Sequence, residues 1–420
     1  MMKNLPSEVI GNILSRVGVA RDVVLASATC RKWRDAFRNH LHSLTFNFND
    51  SPVYRDLLTS QIEIIITLTI FQTNGLQGLS IIMDDGDEFS ASTVAAWLVY
   101  TRESLKSLYY NVRTNPSINI LDICGRRKLE KLVIVHNTIT GVEPNYQRFP
   151  CLTLLSLSYV CISALDLSLL LNACPKIESL SLINLEITLS DSQVTVELNS
   201  PTLKSIYVEA ISLDKFILEA DCLEDLHLKD CAMEQFDLIG NGGLKLFKFD
   251  DVSVIHLDLG ETVENLEVVD VSNFTFSWFR FFQMISSSTN LKVLRLWDVA
   301  FEDTEEVVDL EAIARTFPYL SNLSFICDLR EHLFHFVEEG PYKMHNLAVL
   351  EVGWTAIHEE FYPFLENLLE KCPNLKKLII HGTVSDAKTQ KECQTLASFT
   401  SSMVQLMRQY NHVDVHFEYE

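Results

Sequence analysis

The spacing L-x-x-L-x-L, repeated from end to end, constrains this chain more than any other feature. Leu129-Glu-Lys-Leu132-Val-Ile134 is followed three residues on by Asn137, and Leu223-Glu-Asp-Leu226-His-Leu228 by Cys231. Further copies, with other apolar residues substituting, begin at Leu41, Leu76, Leu105, Leu152, Ile177, Leu203, Leu244, Leu266, Leu291, Leu320, Leu347 and Leu375. The 270 residues from Leu105 to Leu375 hold eleven intervals, a period of roughly 25, within the range that solenoid repeats use. In each copy the apolar fourth and sixth positions share one face of a short strand. A single unit cannot bury that face, but stacked neighbours can. The spacing therefore predicts an α/β solenoid with a parallel sheet on its concave face and helical or irregular return segments.

The return segments carry their own signals. Pro150, Pro175, Pro201, Pro318 and Pro373 stand just before strands, where proline ends the preceding segment. Residues 164–173 and 359–371 read as helices. From Leu203 to Leu266 the copies are only 20 to 22 residues apart, which leaves less room for a helix there. Residues 395–410 read as a helix, and the alternating Val413, Val415, Phe417 and Tyr419 as a last edge strand. Three regions follow: residues 1–46, a repeat body over 41–394, and a C-terminal cap over 395–420.

Charge and hydropathy exclude several classes of function. The chain is 47% hydrophobic, enough for a large core, and its net charge is 34 − 56 = −22. That balance argues against wrapping nucleic acid or anionic lipid. No apolar run reaches the ~20 residues that span a bilayer, and Pro6 and Glu8 stand where a secretory leader needs an apolar stretch. An intracellular protein, nuclear or cytoplasmic, is expected. The ten cysteines contain no CxxC pair and read as small buried apolar residues in a reducing compartment.

The first forty residues break the repeat. Leu5-Pro6-Ser7-Glu8 opens a helix in which Val9, Ile13, Leu14 and Val17 form an apolar stripe stopped by Gly18. Asp22 is placed to cap a second helix, and a third begins near Arg31 with Trp33, Phe37 and Leu41 four apart. Three helices this short have little core of their own, so they lean on a neighbour or on a partner protein. Residues 1–50 carry seven Lys/Arg and four Asp/Glu, net +3, which leaves −25 on the remainder.

These residues resemble a known module. Leu5-Pro6, Glu8-Val9, Ile13-Leu14-Ser15-Arg16-Val17, Arg21-Asp22-Val23-Val24 and Cys30-Arg31-Lys32-Trp33-Arg34 closely resemble an F-box. Followed by leucine-rich repeats, the chain looks like a plant-type F-box/leucine-rich-repeat protein. The resemblance implies a Skp-type adaptor as partner, joined through it to a cullin and a RING subunit, with the repeats selecting a protein for ubiquitination. It implies adaptor contacts at Leu5, Pro6, Glu8, Val9, Ile13, Leu14, Val17, Asp22, Val23, Cys30 and Trp33. Two other readings stay open: a scaffold uncoupled from the ligase, and helices that merely cap the first repeat.

Catalytic and metal motifs fail when tested. His358-Glu359-Glu360 lacks the second His of a zinc helix, since residue 362 is Tyr, and no carboxylate or Cys cluster completes His332 and His335. Gly240-Asn-Gly242-Gly243 lacks the later glycine of a phosphate loop, and Asp84-Asp85-Gly86-Asp87-Glu88 lacks the register of a calcium loop. Neither a cofactor nor catalysis is expected. Substrate is expected on the sheet, where the fifth position of successive copies points away from the core. There Tyr207, His227, Arg295 and Glu351, with Trp297 at a seventh position, are the candidate contacts.

Overall fold

The alternating pair at positions four and six builds the inner face of a parallel strand in each repeat, and stacking aligns these pairs across the sheet. The computed structural model describes residues 5–47, 57–83, 86–124, 127–142, 149–188, 194–303, 306–326, 334–335, 342–355, 361–382 and 390–419. The chain divides into two compact units, Met1–Ala220 and Asp221–Glu420.

In the first unit, strands Ser43–Asn47, Gly78–Ile82, Ser107–Asn111, Lys131–Ile139, Leu154–Ser163, Ser179–Ile183 and Ser205–Glu209 pair in parallel, each with the next. Their register brings Leu44, Leu79, Leu108, Leu132, Leu155, Leu180 and Ile206 into one buried row. In the second unit the same position aligns Leu226, Phe247, Val269, Leu294, Leu323, Leu350 and Leu378 on strands that run through to Asp414–Tyr419. Each fully buried side chain of this kind contributes about 1.5–3 kcal/mol. The repeat spacing thus becomes an α/β leucine-rich-repeat fold, as the sequence predicts.

The return segments follow the available length. Thr59–Phe71, Ala91–Thr101 and Ala164–Asn172 are helices in the first unit, and Trp278–Ile285, Leu310–Thr316, Phe361–Lys371 and Gln390–Gln409 in the second. Where copies are closest, strands replace helices. Asp225–Ile239 runs beside Leu246–Asp258 as far as Asp237 opposite Asp258, so both repeats return as β structure. The C-terminal strand Asp414–Tyr419 pairs with Lys377–Gly382, as the alternation predicts.

The chain turns out of the strand at position eight of the repeat. Position eight has a positive φ in eight consecutive repeats: His136, Tyr159, Asn184, Ala210, Asp230, Asp251, Asn273 and Asp298, at 49° to 55°. This left-handed conformation costs an ordinary residue about 1–2 kcal/mol, and Asn and Asp adopt it most readily. Five of these eight positions carry Asn or Asp, so the sequence does mark the turn.

The aromatic run from Phe274 to Phe282 is mostly core. Phe274, Phe276, Trp278 and Phe281 are buried, Phe276 contacts Phe281 at 4.6 Å between ring centroids, and Phe279 is exposed. One core residue carries a polar group without a partner. The Tyr110 hydroxyl, at a sixth position, is buried and hydrogen-bonds to no described residue, and burial pushes its pKa far up. Tyr110→Phe removes that unpaired group and keeps the ring. It should leave stability unchanged or raise it by up to about 1 kcal/mol, read as the midpoint of urea unfolding; a clear loss would mean the hydroxyl has a partner.

Candidate functional site

The N-terminal residues fold into α1 (Ser7–Val17), α2 (Ala20–Ser27) and α3 (Arg31–His40). Pro6 caps α1 from outside, its carbonyl accepting from the Ile10 N–H at 3.2 Å, and Gly18 at φ 73° ends the helix. Asp22 does not cap α2: the helix starts two residues earlier behind Val19, and Asp22 sits in its first turn, where a carboxylate favours the helix dipole. The three helices join the first strand through Thr45 N–H to the Gly18 carbonyl (2.8 Å) and His42 N–H to Ser15 Oγ (2.8 Å).

The stripe read on α1 splits into two faces. Ile10, Gly11 and Leu14 are buried, while Val9, Ile13 and Val17 are 39%, 39% and 43% exposed. Gly11 fixes the inner face. A Cβ there would lie 2.2 Å from the His40 carbonyl oxygen, so α1 and the end of α3 meet at a contact only glycine allows. Leu14 and Val23 are fully buried. As direct partner contacts these two are therefore corrected: they hold the helices together and present no surface. Pro6, Glu8, Asp22 and Cys30 are exposed, whereas Leu5 and Trp33 are half-buried. The contacts that the resemblance implies leave out Val24 and Leu25, which are exposed on α2; two apolar residues in a row beyond a buried Val23 are the signal for them. Val9, Ile13 and Val17 on α1 and Val24 and Leu25 on α2 stand exposed, a grouping of large apolar side chains of the kind that marks interaction surfaces.

The sheet candidates fall in both units. In the first, Tyr207 is half-buried and its hydroxyl donates to Glu209 Oε2 at 2.6 Å. In the second, His227 is half-buried, and burial together with the Lys248 ammonium holds its pKa below the ordinary imidazole range. Arg295 is exposed, 3.8 Å from the Asp270 carboxylate. Trp297 is 37% exposed, with its ring edge-on to His381 at 5.9 Å. Glu351 departs from its expected role. It is only 9% exposed, accepts from Ser324 Oγ at 2.8 Å and meets His381 Nε2 at 2.7 Å. The carboxylate is committed to its neighbours, and the surface here is Arg295, Trp297 and the edge of His381.

Cys124, Cys174, Cys231 and Cys372 are buried as apolar filling, whereas Cys30 and Cys222 are exposed, against the expectation of buried thiols throughout. The eight described ones are free thiols. Burial pushes Cys174 and Cys372 up to about 12, so both stay protonated at neutral pH. Among the described residues no three His, Cys, Asp or Glu are grouped to hold a metal ion, and no helix is long and apolar enough to cross a membrane. The side chains of His332, His335 and His358-Glu359-Glu360, together with Asp84-Asp85, lie outside the described residues.

Comparison with known proteins joins the two surfaces to a family. The F-box-like family model matches residues 2–44, and the model described as FBD-associated F-box protein At5g56370, LRR repeats, matches residues 107–325. F-box/LRR-repeat protein At1g67190 of Arabidopsis thaliana is 64% identical over 419 residues, covering 100% of both chains. Putative F-box/FBD/LRR-repeat protein At5g25850 of the same plant is 23% identical over 426 residues, covering 97% of this chain and 75% of its own length. With three short helices packed on the first of a series of leucine-rich repeats, and a full-length relative at that identity, the chain belongs to the plant F-box/LRR-repeat protein family.

Proposed function

We propose that the chain is the substrate-recognition subunit of a Skp–cullin–F-box ubiquitin ligase. The observation that carries this reading is the outer face of α1, where Val9, Ile13 and Val17 stand exposed at four-residue spacing on a module matched as F-box-like. A helix with buried residues on one side and a second apolar row on the other is built to pack twice, once within its domain and once against a partner. The partner is a Skp-type adaptor, which brings the cullin and RING subunits. The protein works inside the cell, in the nucleus or cytoplasm, and supplies recognition while the ubiquitin chemistry belongs to the other subunits. In domain terms residues 1–46 bind the adaptor, the repeats over 41–394 select the target, and residues 395–420 close the array.

For the target, the face around Arg295 and Trp297 is the candidate in the second unit, since exposed Trp and Arg dominate interface energies. Arg295→Glu and Trp297→Ala, made separately, should each slow turnover of a substrate captured by the wild type, by roughly tenfold or more, while adaptor co-purification is unchanged. Unchanged turnover in both would remove this face from consideration. A wild-type chain that binds no Skp-type adaptor would leave the scaffold reading instead.

A further inference from the structure

At position eight, where the left-handed turn is best served by Asn or Asp, two consecutive repeats of the first unit carry His136 and Tyr159 instead. Their rings stack at 4.8 Å between centroids with an interplanar angle of 18°. Tyr159 remains 52% exposed. A bulky residue held at φ 53° is an outlier that the turn itself does not ask for. What the two rings do is wall a groove.

That groove, of about 420 Å³, lies where the strands of these repeats end and is lined by Glu88, Arg113, His136, Asn137, Tyr159 and Glu186 among others. Its lining carries two carboxylates, one guanidinium, and the hydroxyls and amides of Thr114, Ser117, Thr138 and Asn184. Glu88 stands in register opposite Arg113 and accepts from Asn115 Nδ2 at 3.1 Å. Glu186 lies beside Cys161, whose thiol pKa is raised by burial and by that carboxylate, so the thiol adds no charge of its own. Asn137 Oδ1 is shielded from solvent and accepts from no described residue. Arg113 offsets one of the two carboxylates and leaves the other.

We propose that this groove is a recognition site for an arginine side chain of a protein partner. A guanidinium is planar, carries five donors and no acceptor, and stacks on aromatic faces. The exposed Tyr159 ring offers the face, and the Glu88 and Glu186 carboxylates offer the acceptors beside it. A lysine ammonium could use the charge but not the plane, so the site should prefer Arg to Lys. As a contact to a ligase target the proposal rests on the receptor reading. As a binding site it does not, because the peptide measurement below is independent of adaptor co-purification.

The turn preference makes the test discriminating. Tyr159→Asn installs a residue that the backbone favours, so the turn is kept while the ring is removed. The full chain is titrated into a fluorescein-labelled octapeptide of alternating Arg and Gly, followed by fluorescence anisotropy at physiological salt. Saturable binding to wild type is expected, about tenfold weaker in Tyr159→Asn and in Glu186→Gln, with the melting temperature of Tyr159→Asn unchanged or raised. The Lys–Gly octapeptide should bind more weakly than the Arg–Gly one. Asp251→Asn, which removes an equal charge in the second unit, should bind like wild type. The proposal is overturned if wild type shows no saturable binding, or if Tyr159→Asn binds as wild type does. Equal affinity for Arg and Lys, or an equal loss in Asp251→Asn, would also overturn it, since either shows general attraction to an acidic chain.

Discussion

Ile13→Asp with Val17→Asp should abolish co-purification with a Skp-type adaptor while leaving the chain as stable as wild type. Both side chains are exposed on the outer face of α1, so neither substitution opens a cavity or places a charge in the core. At the centre of an interface each anchor typically contributes about 2 kcal/mol or more. Removing two and adding two charges that must be desolvated should weaken binding by about a thousandfold or more. Leu14→Asp would lose the adaptor too, but for a different reason. Leu14 is fully buried, and its replacement should show first as loss of helicity and of thermal stability. The pair separates contact from scaffold: the outer-face double variant keeps the wild-type melting curve, and the inner-face variant does not. Adaptor binding that survives the outer-face change would mean this row does not make the interface.

Phe249→Ala should give a large loss of stability in the repeats. Phe249 is fully buried and touches Phe247 at 4.4 Å, Phe274 at 5.5 Å and Phe236 at 6.5 Å between ring centroids. Phe274 comes from the following repeat and Phe236 from the preceding one, so one ring ties three stacked units. Truncating a buried Phe to Ala costs about 3–5 kcal/mol through lost transfer energy and the cavity left behind. In a body of this size that corresponds to a fall of about 6–20 °C in melting temperature. Each repeat is stabilised by its neighbours, so the loss should extend to hydrogen-exchange protection of both flanking strands, 225–239 and 268–272. A variant melting within two or three degrees of wild type, to be read as about 1 kcal/mol or less, would contradict this packing.

The repeat fold was legible because its signal is local. Positions four and six lie two residues apart in every copy, and their alternation alone decides which way Leu226 or Leu294 must point. The short spacing near Leu223 and Leu244 likewise announced returns without helices. The two faces of α1 were not separable in the same way. Val9, Ile13 and Val17 fall on one side and Ile10 and Leu14 on the other, and both rows are apolar. Which row is inner depends on where α3 packs, and the clue is the lone Gly11 against His40. Glu351 could not be placed from its own repeat either. A carboxylate at a fifth position reads as solvated, yet Ser324 and His381, from the repeats on either side, enclose it. Burial of that kind comes from contacts far apart in sequence, which no local pattern records.

Hydrogen–deuterium exchange of the full chain, alone and saturated with a purified Skp-type adaptor, shows whether the N-terminal helices make the adaptor contact. Slower exchange is expected, confined to 7–17, 20–27 and 31–40, with the strands of the second unit unchanged. Protection on the repeats without protection of the N-terminal helices, or no change anywhere at adaptor concentrations that saturate another F-box protein, would contradict it.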